Sequence, residues 1–173
     1  MQIIFTERSY LSVVFETSRQ VETETGGTLL GCYENETWYV IETIEPGPKS
    51  VFQGGYFEYD REYTEKLINQ KAKLYKTELT LIGVWHKHPG SFNEFSGMDD
   101  ETNSAYAKLS KNGAVSVIVN VDPEFRMTAY HVSWPLKYSK VIFSVGDDLI
   151  PANLRARRCK NGTNEYRRGY PLL

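Results

Sequence analysis

The chain has 173 residues, 40% of them apolar and 24% charged, with a formal net charge of −2. That length carries one ordinary domain with a real core, and the near-neutral balance excludes a bulk electrostatic case for nucleic-acid or membrane partners. With no apolar run near the ~20 residues of a membrane span, no basic-then-apolar leader and only two distant cysteines, Cys32 and Cys159, the expected setting is the cytoplasm with reduced thiols.

Residues 3–5 read as a short opening strand. Leu11, Val14, Phe15, Ser18 and Val21 recur at helical spacing, which predicts an amphipathic helix over about residues 8–20. The run E-T-E-T-G-G-T-L-L-G-C-Y follows. In it Gly26-Gly27 marks a turn or a close backbone approach, and residues 28–33 read as a strand. Glu34-Asn35-Glu36 is a polar turn into a second strand over residues 37–44, so the pair predicts a hairpin. Cys32 falls in the first strand as a small core residue.

Pro46-Gly47-Pro48 opens an irregular segment running to about residue 55. Residues 56–59 read as a short strand, and Asp60 as the N-cap of a second helix ending near residue 76. Further strands are expected over residues 114–121, 127–134 and 140–145. His131 falls mid-strand, where a structural role is expected. The expected division is one domain over residues 1–150. A basic tail over residues 151–173, partly disordered, carries Arg155, Arg157, Arg158, Lys160, Arg167 and Arg168.

Residues 82–103 carry the chemistry: I-G-V-W-H-K-H-P-G-S-F-N-E-F-S-G-M-D-D-E-T-N. The apolar run before His86 is that of a strand buried on both faces. Side chains at i and i+2 share a face of a strand, so His86 and His88 can reach one point. Pro89 lacks an N–H and helps end the pairing. A loop follows, and Asp99 opens a helix expected to run to about residue 110, with Ser96 as its N-cap. Two imidazoles and one carboxylate match a catalytic zinc site, which keeps a fourth position open for water. Such a water needs a nearby base. Glu7, Glu16, Glu22 and Glu24 are candidates. Glu24 is placed at the entry to a strand able to lie beside the histidine strand, though the residues alone do not separate it from Glu22.

Glu24-Thr-Gly-Gly-Thr-Leu-Leu-Gly31, then His86-Lys-His88-Pro89, then Ser96-Gly-Met-Asp99 with ten residues between His88 and Asp99, resembles the JAMM metalloprotease family over about residues 1–145. The resemblance implies an α/β fold, the single-domain MPN (cytidine-deaminase-like) sandwich, with a mixed sheet flanked by helices. It implies one zinc ion per chain on His86, His88 and Asp99. Glu24 would be the general acid/base for the metal-bound water, and Ser96 a hydrogen-bond donor to that water or to the tetrahedral intermediate. It further implies cleavage after the C-terminus of a ubiquitin-like protein, as deconjugation or precursor processing. Ubiquitin-activating-like and conjugating-like enzymes would be associated partners, as in antiphage systems. A RadC-like hydrolase acting on another substrate shares a similar H-N-H-P and S-x-x-D stretch, and a non-catalytic module for ubiquitin-like tails is the other rival. Zinc nucleoside deaminases share the fold, but their P-C-x-x-C ligand element is missing from this sequence.

Overall fold

The computed structural model of the protein describes residues 1–158. In chain order, β1 (Gln2–Phe5) leads to α1 (Glu7–Arg19), then β2 (Thr25–Glu34) and β3 (Thr37–Ile44). β4 (Val51–Gln53) and β5 (Tyr56–Glu58) precede α2 (Arg61–Ala72), β6 (Thr80–Lys87), α3 (Gly97–Lys108) and β7 (Ala114–Asn120). β8 (Arg126–Ser133), β9 (Lys137–Val141), β10 (Phe143–Val145) and α4 (Ala152–Arg155) complete the described chain. The result is the expected mixed α/β domain, a large mixed sheet with helices against it.

The main sheet has the order β10-β1-β3-β2-β6-β7-β8-β9, with parallel pairing at β10·β1, β1·β3 and β6·β7. Its two outermost strands are pieces of one continuous segment. Val141 pairs with Ala129 and Phe143 with Ile3. Only Ile142 separates them, so the sheet must curl until its edges nearly meet. The sequence reads this stretch as one strand over residues 140–145. The structure splits it because a single straight strand cannot pair with both edges.

Alternation along the strands divides the core. Ile3, Phe5, Leu29, Trp38, Val40, Trp85, Val115, Val117 and Val119 pack on one face, with Val13 and Tyr10 of α1 against them. Ile4, Leu30, Ile41 and Ile44 pack on the other, under Leu67 and Ile68 of α2. Residues on both faces of β7 are buried, as its unbroken apolar run requires. The β2–β3 turn carries Asn35 and Glu36 at φ 49° and 59°, the left-handed pair of a two-residue hairpin turn.

β4 and β5 form a separate two-stranded ribbon where the sequence reads an irregular segment and one short strand. Its stacked Phe52 and Phe57 rings, 5.7 Å apart, supply a cross-strand pair that the turn-rich composition conceals. Asp60 caps α2, its carboxylate accepting from Tyr63 N–H. Residues 151–158 lie against the domain, with Leu154 buried. The rest of the expected basic tail, Lys160, Arg167 and Arg168, and also Cys159, lie outside the described residues. No helix among the described residues is long and apolar enough to cross a membrane.

Candidate metal centre

β6 is flanked by β2, antiparallel, and β7, parallel, so its C-terminal end is held on both sides. His86 is in the strand and His88 is one residue past it, fixed by its N–H donating to the Val119 carbonyl oxygen of β7 at 3.0 Å. The i, i+2 spacing places both rings on one face, with their Nε2 atoms 2.8 Å apart.

Asp99 arrives from the loop. Ser96 caps α3 in a reciprocal box: its Oγ accepts from Asp99 N–H at 3.2 Å, while Asp99 Oδ2 accepts from Ser96 N–H and Ser96 Oγ–H, both at 2.7 Å. The helix therefore starts two residues earlier than the sequence suggests, and its cap is what aims the carboxylate. Asp99 Oδ1 lies 3.4 Å from His86 Nε2, and Oδ2 lies 3.4 Å from His88 Nε2. His86, His88 and Asp99 thus form a group that could hold a metal ion, with donor atoms all within 4.8 Å of one another.

These residues fit a divalent ion. Bonds of ~2.0–2.1 Å in tetrahedral geometry put donor atoms roughly 3.3 Å apart, close to the two 3.4 Å edges to Asp99 and somewhat wider than the 2.8 Å between the rings. The protonation states fit as well. His88 Nδ1 lies 3.2 Å from the Phe92 carbonyl oxygen; a carbonyl only accepts, so Nδ1 carries the proton and Nε2 presents its lone pair to the cluster. Burial pushes the His86 imidazole down to about 4, with Asp99 opposing and His88 adding to the effect. Burial alone would raise the Asp99 carboxyl. The neighbouring His88 and His86 rings and both Ser96 donors outweigh it and hold Asp99 below the usual carboxylate range. Neutral imidazole and ionised carboxylate are the forms that bind metal.

Glu24 sits just before β2, with its N–H donating to the Gln53 carbonyl oxygen of β4 at 3.1 Å. Because Thr25 pairs with Lys87 and Gly26 with His86, Glu24 is delivered to the same end of β6. Its carboxyl is within electrostatic range of His88 and Asp99. Burial raises its carboxyl above the ordinary value, and Asp99 raises it further against His88 and Lys87. Glu16 is used elsewhere, accepting from Thr25 Oγ1 at 3.3 Å, and Glu22 lies by Lys87.

The glycine pair makes the close approach that its composition signals. A Cβ on Gly26 would lie 2.7 Å from the Trp85 carbonyl oxygen and 3.2 Å from the His86 Cβ, and one on Gly27 would overlap the Ile44 carbonyl. Phe57 from the ribbon fills the space over Gly26, its Cε1 being 3.1 Å from that Cβ position. On the other flank Phe95 lies 6.0 Å from the His86 ring and stacks on Tyr138 at 4.2 Å. His131 is absent from the cluster; its Nε2 donates to the Asn112 carbonyl at 2.7 Å. Cys32 is half-buried, its thiol pushed up to about 11 by burial and by Glu34, so it is a weak nucleophile.

Sequence reasoning overlooks two residues of this neighbourhood. Asn120 is wholly buried at the end of β7 and donates to the Phe92 carbonyl at 2.8 Å and to that of Gly90 at 3.3 Å. It therefore holds the oxygen that orients His88, and Arg126 in turn donates to its Oδ1 at 3.0 Å. Its signal was a lone amide closing an apolar run. Lys87 is the second, a charge inside a buried strand.

A profile of prokaryotic homologs of the JAB domain matches residues 7–136. A protein from Sinorhizobium fredii described as probable metalloprotease y4qB is 31% identical over 77 residues, 44% of this chain and 47% of that protein. The matched part thus spans about half the length of that relative. The solution structure of protein DSY2949 from Desulfitobacterium hafniense superposes with a TM-score of 0.59 at 13% identity, covering 82% of this chain and 92% of the other, a likeness of fold.

Proposed function

This chain belongs to the prokaryotic homologs of the JAB domain, and from that membership we propose that it is a zinc-dependent peptidase acting after the C-terminus of a ubiquitin-like protein. The observation that carries the reading is the convergence of His86, His88 and Asp99 at one end of β6, with Glu24 delivered beside them from β2. A zinc ion held by His86 Nε2, His88 Nε2 and Asp99 would supply Lewis acidity and an activated water.

Glu24 is the proton carrier of this proposal. Its carboxyl, raised by burial, takes a proton from the attacking water on Oε and delivers it to the leaving amine. Ser96 aims Asp99 through the cap, and by turning its Oγ–H from Asp99 Oδ2 toward the reacting carbonyl, its N–H still holding Asp99, its hydroxyl can donate to the developing charge. The ribbon of β4 and β5, with Phe57 over Gly26, forms one wall. An extended tail running along it can pair by backbone hydrogen bonds. Phe95, Tyr130 and Tyr138 make the opposite, aromatic wall. A cytoplasmic setting fits a substrate of this class.

The test uses a ubiquitin-like protein bearing a C-terminal peptide extension as substrate. Zinc-loaded protein should release the extension, a chelator should stop it, and Glu24→Ala should lower the rate by roughly 10²–10⁴-fold while binding zinc as before. Full activity in Glu24→Ala removes Glu24 from the chemistry; cleavage indifferent to chelator removes the metal.

The support behind His88 has its own measurable consequence. Asn120→Ala strips the donor that holds the Phe92 carbonyl in place, and zinc affinity is expected to fall about 10–100-fold, the usual effect of losing such an outer partner of a ligating histidine. Competition against a calibrated chelator reads this directly. Affinity unchanged in the variant would mean that the Phe92 carbonyl holds its place without the amide.

A further inference from the structure

Lys87 stands between the two histidines on β6 and has no solvent-exposed surface. Lysine is almost never wholly buried unless paired, and an aliphatic side chain would fill a central strand position without any desolvation cost. Its ammonium donates to the Val21 carbonyl oxygen at 2.8 Å. That carbonyl lies just past the C-terminal end of α1, where the helix dipole favours a cation. Glu22 and Glu24 provide the facing negative charges.

The location explains what the charge is for. Lys87 pairs with Thr25 across the β2–β6 ladder, so its side chain reaches the connection that delivers Glu24. Residues 20–24 of that connection are neither helix nor strand. Gln20 N–H stays with the Thr17 carbonyl of α1 at 3.3 Å, and two tethers hold residues 21–24: Val21 C=O to the Lys87 ammonium, and Glu24 N–H to Gln53 C=O at 3.1 Å. The second tether belongs to the small β4–β5 ribbon, whose residues are largely exposed. The first is anchored in a central strand of the main sheet.

We propose that Lys87 is a positioning residue, which ties residues 21–24 to β6 and so fixes the Glu24 carboxylate beside His86, His88 and Asp99. The proposal rests on the role of Glu24 given above. Without the ammonium, residues 21–24 keep only the bond to the ribbon between Gln20, held by α1, and Thr25 of β2, and open locally, since a segment with few buried contacts has little to resist opening. A proton carrier displaced by even an ångström loses most of its effectiveness.

Amide hydrogen exchange of the metal-free protein, read residue by residue by NMR, tests the tether without any substrate. In Lys87→Met, which keeps the aliphatic stem, the Glu24 amide should exchange on the order of tenfold faster than in the wild type. The amides of the β2–β6 ladder should keep their protection, and Lys87→Arg should restore that of Glu24. If circular dichroism shows Lys87→Met unfolded, Lys87→Gln replaces it in the same comparison. Unchanged exchange at Glu24, acceleration spread evenly through β2 and β6, or no recovery in Lys87→Arg overturns the proposal. Cobalt(II) uptake by the wild type is measured in parallel. Its failure sinks the metal reading and leaves the tether result standing, so the two are told apart.

Discussion

Replacement of His88 by alanine is expected to abolish stoichiometric zinc uptake at micromolar concentrations while leaving the far-ultraviolet circular dichroism unchanged. Four-ligand structural zinc sites are worth about 10–16 kcal/mol, or roughly 2.5–4 kcal/mol per ligand, which is ~10²–10³-fold in affinity. The loss here should reach the upper end of that range. A three-ligand site keeps only two donors after the change. His88 is also the more buried imidazole of the two, with 5% of its side chain exposed against 15% for His86, and its lone pair is already oriented by the Phe92 carbonyl. The fold should survive because β6 is held by its neighbours through Trp85 and Lys87, before His88 is reached. Tight one-to-one zinc binding in His88→Ala, measured by elemental analysis after dialysis, is the result that would sink the ligand assignment. Protons compete for the same lone pairs, so uptake by the wild type declines in acid. His86, held to about 4, is protonated only well below neutrality.

Much of this centre is legible in the sequence alone. The i, i+2 rule needs only a strand, and the apolar run ahead of His86 supplies one, so the shared face of the two rings followed directly. Asp99 was legible for a different reason: Ser96 marks a helix start, and an acid three residues on closes a capping box. Glu24 was harder. A strand entry can be recognised in sequence, but which strand lies beside which is decided by long-range pairing, and the β2–β6 register has no local signature. The same limit explains β9 and β10. Nothing local to residues 137–145 reveals that one stretch serves both edges of a curled sheet, because the curl is a property of the other strands. Asn120 and Lys87 were missed because a polar residue in an apolar run acquires meaning only from what faces it in space. Asn120 faces the Phe92 carbonyl, and Lys87 faces that of Val21.

Far from the histidines, Glu42→Ala is expected to cost about 2–3 kcal/mol of unfolding free energy, measured by urea denaturation. Glu42 lies on β3 and is 3% exposed. Its Oε1 accepts from Arg8 at 2.7 Å, from Arg157 at 3.3 Å and from the buried Tyr75 hydroxyl, and Lys71 lies 3.4 Å from Oε2. Removing one partner of a fully buried ion pair costs about 3–5 kcal/mol, because the charge left behind cannot be solvated. Here the cationic side chains are 37%, 23% and 48% exposed, so they can turn toward water, which places the expected cost below that range. What they cannot replace is the acceptor for Tyr75, whose hydroxyl is pushed up to about 12 by burial and by Glu42. The effect should be uneven along the chain. Arg157 bridges to Tyr75, Lys76 N–H donates to Ala156 and Arg158 N–H to Leu74, so these residues are fastened to the domain beside this carboxylate. Without Glu42 that segment loses its charged anchor, and trypsin should cut after Arg157 or Arg158 sooner than in the wild type, at a concentration of urea where the sheet is intact. A loss under 1 kcal/mol with unchanged cleavage would mean that the backbone bonds of residues 156–158 hold the segment by themselves, and that the charges around Glu42 balance without adding stability.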